Sequence, residues 1–167
     1  MRMLRILLFA ALALPCSSGL MAQSEGGLQA TLYLTDKPEK LFADWETASP
    51  GVTLSSTQIA RQGELIAGVI VFADCAPTEK GFCDVTVTYT LFKPDGALYD
   101  EPMESETWIG KPPPPSNHLQ LGVGSFCVVI EPEDPLGRYR MQAEVRDRVS
   151  GKTLRLERHF DAVEPPG

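Results

Sequence analysis

Apolar and polar residues alternate along residues 84–92, where the apolar side chains at every second position are separated by threonines. Side chains of a β-strand alternate between two faces, so this pattern predicts a strand with one buried and one solvated face. A Lys-Pro-Asp-Gly turn at residues 93–96 ends it. The same alternation recurs at residues 138–146 and 154–160, on either side of a Val-Ser-Gly-Lys turn. The last quarter of the chain therefore predicts a β-hairpin.

Less regular strands are predicted at residues 28–35, 64–73 and 124–130. The second of these is apolar at nearly every position, so it is expected to be covered on both faces. Short strands separated by Gly- and Pro-rich turns are typical of two packed antiparallel sheets. The predicted fold class is therefore mostly β, an immunoglobulin-like antiparallel β-sandwich with one short N-terminal helix.

The helix is predicted within the sequence Thr-Asp-Lys-Pro-Glu-Lys-Leu-Phe-Ala-Asp-Trp, residues 35–45. Asp36 can cap its first turn, and Glu39 can complete a capping box. Pro38 suits the first helical position because its missing N–H is not needed there. The apolar side chains fall on one side, so we expect this helix to close one end of the sandwich; they are Leu41, Phe42 and Trp45.

The N-terminal sequence has the order of a secretory signal peptide. Arg2 and Arg5 precede an apolar run at residues 6–14, and small residues then lead to Ala22. The run is about half the ~20 residues that a membrane-spanning helix needs, and no later segment is apolar for long enough. We therefore expect a periplasmic or secreted protein without a transmembrane segment. A lipid anchor on Cys16 is the alternative.

Removal of the signal peptide, residues 1–22, leaves a chain of the usual size for one core. We expect residues 23–163 to form a single β-sandwich domain and residues 164–167 to form a disordered tail.

Export permits disulfides, and Cys75 and Cys83 flank a short loop between two predicted strands. Their Cα atoms can approach to the ~6 Å that a disulfide requires, so we predict this bond. Cys127 lies in an apolar run and is expected to be a small buried hydrophobe. The remaining cysteines and the two histidines lack metal-ligand spacing, so no metal and no cofactor is predicted.

Charge is distributed unevenly. The chain has a formal net charge of −7, which becomes −9 when the two arginines of the signal peptide are removed. This balance argues against nucleic acid as a partner. Residues 136–160 nevertheless carry seven cations against three carboxylates. Either the arginines of this basic hairpin pair across strands with its glutamates, or they dock an acidic partner. The candidate binding arginines are Arg138, Arg140, Arg146 and Arg155.

No nucleophile, metal or phosphate motif gives the chain a recognisable catalytic centre, so no catalytic residue is predicted. Tyr99 and Trp108 are candidate binding aromatics, which would act as a sugar platform if carboxylates lay beside them. The proline run at residues 112–115 must be extended, either as a stiff connection or as a docking strip.

The sequence Asp-Pro-Leu-Gly-Arg-Tyr and the following Asp-Arg-Val-Ser-Gly-Lys turn, within residues 134–156, resemble the last two strands of bacterial immunoglobulin-like and macroglobulin-like modules. The resemblance implies a sandwich that binds, spaces or adheres, and it transfers no catalytic residue.

The leading hypothesis is an exported, non-enzymatic binding or accessory protein of the bacterial envelope. Its partner would be an envelope protein or an anionic envelope polymer, bound through loops or the basic hairpin. The alternatives are a carbohydrate-active or hydrolytic domain and a periplasmic immunity or inhibitor protein.

Overall fold

The computed structural model of the chain describes residues 27–47, 53–116 and 118–167, so the predicted signal peptide and Cys16 lie outside the described residues. Strands dominate the described part, which confirms the mostly-β class and the one short helix. Its elements are β1 Gln29–Thr35, α1 Pro38–Thr47, β2 Ile59–Arg61, β3 Leu65–Ala73, β4 Cys83–Phe92, β5 Met103–Lys111, β6 Gln120–Val129, β7 Gly137–Asp147 and β8 Thr153–Val163.

The strands form two sheets. A three-stranded sheet has the order β1-β3-β6, and a five-stranded sheet has the order β2-β8-β7-β4-β5. Neighbouring strands are antiparallel except for β2, which runs parallel to β8. The expectation of purely antiparallel sheets is therefore wrong at this edge, where a long connection through α1 brings β2 to the sheet in the other direction.

The main core lies between the two sheets. The apolar side chains of β4 and β7 are buried at alternate positions, as their period of two predicts. Tyr139 stacks on Phe160 with 5.3 Å between ring centroids, and Tyr89 stacks on Phe126 at 5.6 Å. Met141 occupies the space above Gly68, where a Cβ atom would collide with it. The two sheets thus share one close-packed interior.

Two strands were not predicted. β2 has only three residues, and β5 carries charged residues through its first half. The edges of β5 and β6 approach so closely that a Cβ on Gly122 or Gly124 would meet the side chain or backbone of β5. Glycine is therefore needed where the two sheets meet.

The helix lies elsewhere than expected. Leu41 packs with Val69 and Val71 in a second apolar cluster on the outer face of the three-stranded sheet, joined at its margin by Phe42 and Trp45. α1 therefore covers a sheet face and does not close an end of the fold. Both faces of β3 are buried, as its continuous apolar sequence predicts.

Thr35 fixes the backbone immediately before α1. Thr35 Oγ1 accepts a hydrogen bond of 3.1 Å from the Lys37 amide, and the helix begins at Pro38. This bond closes a short side-chain turn ahead of the helix, which differs from the capping of first-turn amides that the sequence predicted for Asp36.

The predicted disulfide is confirmed. Cys75 and Cys83 are bonded, with 6.0 Å between their Cα atoms, and both are buried. The expectation for Cys127 is wrong, because its thiol is free and exposed on β6. Phe126 points into the core, so its neighbour Cys127 must face outward, and α1 does not extend over it. No helix in the described ranges is long and apolar enough to cross a membrane.

Candidate functional site

The four predicted arginines share the outer face of the five-stranded sheet. Three lie on β7, and Arg155 lies on β8 opposite Glu144. Outward-facing positions of β7 alternate with buried ones, which brings these arginines to one surface. The edge strand β5, which lies beyond β4, contributes Glu104 and Glu106 to the same face. The face is therefore a mixture of charges, although the hairpin sequence alone is basic.

Two of the arginines are paired across strands. Arg155 Nε lies 3.0 Å from Glu144 Oε2, and Arg140 Nη1 lies 3.3 Å from Glu157 Oε2. The Arg140 guanidinium also lies over the Phe92 ring, 4.0 Å from its centroid. Pairs this exposed contribute little to stability, but they reduce the charge available to a ligand. Arg138 and Arg146 have no carboxylate within ion-pair distance among the described residues.

A shallow hollow of about 500 Å³ lies on this face between β4, β7 and β8. Glu144 and Glu157 both line it, together with Arg155. The hydrogen bond from Gln142, followed by the interaction with Arg140, lowers the pKa of Glu157. A carboxyl group held ionised is unsuited to act as a general acid near neutral pH. The arrangement suits recognition of polar groups better than acid catalysis.

Tyr99 serves the fold at one end of the molecule. Its hydroxyl donates a 2.6 Å hydrogen bond to Asp134 Oδ2, and its ring packs edge-on against Tyr139. Burial, then the bond to Asp134, raises the pKa of Tyr99. Asp134 also accepts from the Glu131 amide, so the tyrosine secures the β6–β7 turn.

Trp108 lies near the other end of β6. Its Nε1 donates a 2.9 Å hydrogen bond to the carbonyl of Pro112, and its ring contacts Phe72 in the core. Tyr99 lies beside Val129 at the end of β6, whereas Trp108 shares a hollow with residues at the start of that strand. The structure therefore does not bring the two candidate aromatics together as one sugar platform.

Three connections meet at the end of the molecule where β3, β5 and β7 finish. We call this the loop end: residues 74–82, 112–116 and 148–152. A hollow of about 390 Å³ is bounded by all three connections, including Cys75, Pro113, Pro114 and Ser150. The disulfide closes the first connection, and consecutive prolines stiffen the second.

Asp147 ties two of these connections together. It is fully buried, and its Oδ2 accepts hydrogen bonds from the Ala76 amide at 2.9 Å and the Ser150 hydroxyl at 2.8 Å. Its Oδ1 accepts from the Val149 amide at 3.0 Å. From the sequence, Asp147 was placed at the start of the turn between the last two strands, but its side chain was assigned no role beyond its charge. An aspartate followed by Ser-Gly three residues later is the pattern of a side-chain-stabilised turn, which was the available indication.

No cluster of three or more metal-ligating side chains occurs within the part of the chain that the structure describes. The side-chain contacts of the loop end include hydrogen bonds, a disulfide and the ion pairs of Arg148 with Asp84 and Glu104. They can present a fixed surface to a partner.

No protein-family model matches the chain, and no curated protein sequence does either. A family 123 glycoside hydrolase from Clostridium perfringens has a similar backbone, at 12% identity over 84% of this chain and 28% of that one, with a TM-score of 0.47. An alkylpurine DNA glycosylase from Pseudomonas fluorescens matches at 14% identity over 81% and 30% of the two chains, with a TM-score of 0.44.

A CARDB domain from Pyrococcus furiosus matches at 11% identity over 83% of this chain and 96% of that domain, with a TM-score of 0.42. This chain spans less than a third of the hydrolase and of the glycosylase. The low scores and the mixed functions of these proteins assign no activity to it.

Proposed function

We propose that the chain is an exported, non-enzymatic binding protein of the bacterial envelope that recognises a protein partner through its loop end. The observation that carries the proposal is that three separate connections line one hollow, one of them closed by a disulfide and two of them joined through Asp147. Fixing a binding surface before association reduces the entropy lost on binding. The sequence order of a signal peptide and the buried disulfide support export.

An immunoglobulin-like strand arrangement is part of the proposal. The order β1-β3-β6 matches the A-B-E strands of such a sandwich, and β4-β7-β8 matches C-F-G. Tyr139 near the start of β7 donates a 2.9 Å hydrogen bond to the carbonyl of Pro135, four residues upstream. That bond is similar to the tyrosine corner of immunoglobulin domains and supports the proposed arrangement. Burial, then the charge of Asp134, raises the pKa of Tyr139 to about 12, so the hydroxyl stays a donor.

This arrangement favours the loop end as the binding surface. In variable immunoglobulin domains the B–C and F–G loops lie at the end that binds antigen. The equivalent connections here are the disulfide loop between β3 and β4 and the turn between β7 and β8. Phe82 and Val149 are exposed on them, with 42% and 37% of their surface accessible. Exposed apolar side chains on rigid loops are suited to anchor a partner.

The proline run adds a ridge to this surface. Polyproline II has three residues per turn, so Pro112 and Pro115 lie on the same side of it. Both are exposed, whereas Pro113 and Pro114 are half-buried against the hollow. The peptide bonds of the run are trans, as polyproline II requires. Pro112 is anchored by Trp108. The strip thus turns one edge toward a partner and the other toward the fold.

Site-specific crosslinking tests this proposal. A photoreactive residue would replace Lys80 or Lys152 at the loop end, and the purified mature protein would be exposed to envelope extract. Lys93, which lies in the β4–β5 turn at the opposite end, and Arg155 on the sheet face supply matched control positions. We expect one protein to crosslink from both loop positions and from neither control. Crosslinking from Arg155 alone would move the site to the sheet, and turnover of peptidoglycan or ester substrates by the pure protein would contradict a non-enzymatic role.

Removal of the disulfide tests how far the loop end is fixed in advance. Cys83→Ser should destabilise the fold by roughly 2.5 kcal/mol, the chain-entropy value for so short a loop. The melting temperature should fall in non-reducing buffer and match that of the parent protein in reductant. Crosslinking from Lys80 should weaken in parallel. If the variant and the parent protein had the same melting temperature in non-reducing buffer as well as in reductant, the bond would not stabilise the protein.

A further inference from the structure

Both tryptophans of the chain line one hollow of about 210 Å³ over the start of β6. Trp45 comes from α1, and Phe42 lies almost one turn earlier on the same helix. Trp108 comes from β5 on the other side, and residues 121–123 of β6 also line the space. We call this space the aromatic hollow. It is separate from the hollow at the loop end, with which it shares no lining residue.

An ammonium group already lies in this environment. Lys111 also lines the aromatic hollow, and its Nζ lies 4.5 Å from the centroid of the Trp108 ring. The negative face of an indole ring attracts a cation at this distance. Glu46 adds a carboxylate to the lining of the same hollow. The hollow thus combines the face of Trp108 with two further aromatic side chains and one carboxylate, groups that can recognise an organic cation.

We infer that the aromatic hollow binds a small ligand that carries a quaternary ammonium group. Such a group is weakly hydrated, so it loses less on leaving water than the ammonium of a lysine does. The hollow is smaller than the about 300–1,000 Å³ of sites for drug-sized ligands, which suits a compact head group. The net negative charge of the chain favours the approach of cations. Lys111 would then be an internal competitor that the ligand displaces from Trp108.

Tryptophan fluorescence measures binding at this hollow directly, because the chain has no tryptophan elsewhere. The purified mature protein would be titrated with tetramethylammonium chloride, and with sodium chloride at the same ionic strength. We expect a saturable change in the millimolar range with the organic cation, as a few cation–π contacts provide. An equal, unsaturated change with both salts would overturn the inference.

Substitution of Lys111 separates this site from a general effect of charge. Lys111→Ala should tighten binding of tetramethylammonium about fivefold, because one cation–π contact no longer competes. Lys93 is a matched control, since its Nζ lies 5.4 Å from the centroid of the Tyr99 ring at the other end of the molecule. Lys93→Ala should leave the titration unchanged. Equal effects of the two substitutions would contradict a competing role for Lys111.

Conservative aromatic variants supply the second control. Trp45→Phe and Trp108→Phe each keep an apolar ring for packing and one tryptophan as the reporter. Each should weaken binding severalfold, because phenylalanine attracts cations less than tryptophan does. An unchanged melting temperature would show that the fold is retained. Parental affinity in both variants would overturn the inference.

Two further titrations distinguish the sources of such a group. Soluble choline should saturate the same change and compete with tetramethylammonium. Binding to phosphatidylcholine vesicles, and not to phosphatidylglycerol vesicles, would assign the ligand to a lipid head group, whereas choline binding alone would assign it to a soluble compound. Failure of both choline and phosphatidylcholine would overturn the inference. These measurements use pure protein and lipid, so their outcome is independent of the proposed partner at the loop end.

Discussion

The outer face of the three-stranded sheet is covered, whereas that of the five-stranded sheet is open to solvent. On the three-stranded sheet, α1 covers Val69 and Val71, which are almost completely buried. On the five-stranded sheet most outward side chains are polar, no helix covers them, and ion pairs such as that of Arg155 with Glu144 join neighbouring strands. The difference begins in the sequence, because β3 is apolar at nearly every position whereas β4 alternates with threonine. A sheet face is covered by another element where the outward side chains of its strands are apolar.

The comparison also bears on function. The outer face of the three-stranded sheet is covered by α1. On the outer face of the five-stranded sheet, several of the charged side chains form ion pairs with each other. We therefore propose the loop end, where Phe82 and Val149 are exposed, as the surface that recognises a partner.

A lysine introduced on each outer face tests whether the two faces differ in burial. Val71→Lys puts an ammonium beneath α1, where it has no partner, and should destabilise the protein by at least about 3 kcal/mol. Thr90→Lys on the open face should change the free energy of unfolding by less than about 0.5 kcal/mol. Urea unfolding measures both. Similar losses would show that the open face is also covered.

Truncation of apolar side chains of α1 measures how much the packing of this helix on the three-stranded sheet stabilises the protein. Leu41 is 7% exposed, so Leu41→Ala should cost about 2–3 kcal/mol. Trp45 is only half-buried at the margin of the cluster, so Trp45→Ala should cost less, about 1–2 kcal/mol. A loss below about 0.5 kcal/mol for Trp45→Ala would mean that its ring does not pack on the sheet.

Much of the fold could be predicted because burial imposes a period on the chain. The strand that became β4 was predicted to within one residue, and Cys75 and Cys83 were placed correctly at facing strand ends. β5 was missed because an edge strand needs few apolar residues, and its first half reads Met-Glu-Ser-Glu. β2 is too short to show any period. The position of α1 depends on which apolar sheet face remains exposed once the strands have paired, and only the strand order determines that face.

The candidate site was less predictable, because contacts between distant residues decide it. Arg140 and Arg155 could be placed on one face from the alternation, but their partners follow from the register. Tyr99 and Trp108 are nine positions apart in the chain, yet a turn and a strand send them to opposite ends of β6. Trp45 meets the environment of Trp108 only because α1 lies across the sheet.

The smallest predicted effect concerns the pH dependence of the open face. The Gln142 hydrogen bond and the nearby Arg140 lower the pKa of Glu157 in the folded protein. Between this pKa and the ordinary glutamate value the unfolded chain binds more protons, so stability rises with pH across that window. The stabilisation is complete above the ordinary glutamate pKa and is lost as the pH falls through the folded pKa. Glu157→Gln should therefore lower the melting temperature slightly at neutral pH and leave it unchanged in strong acid. Glu79→Gln on the exposed disulfide loop, where no ion pair is formed among the described residues, should change the melting temperature at neither pH. A constant difference between Glu157→Gln and the parent protein at all pH values would show that the charge of Glu157 does not stabilise this face.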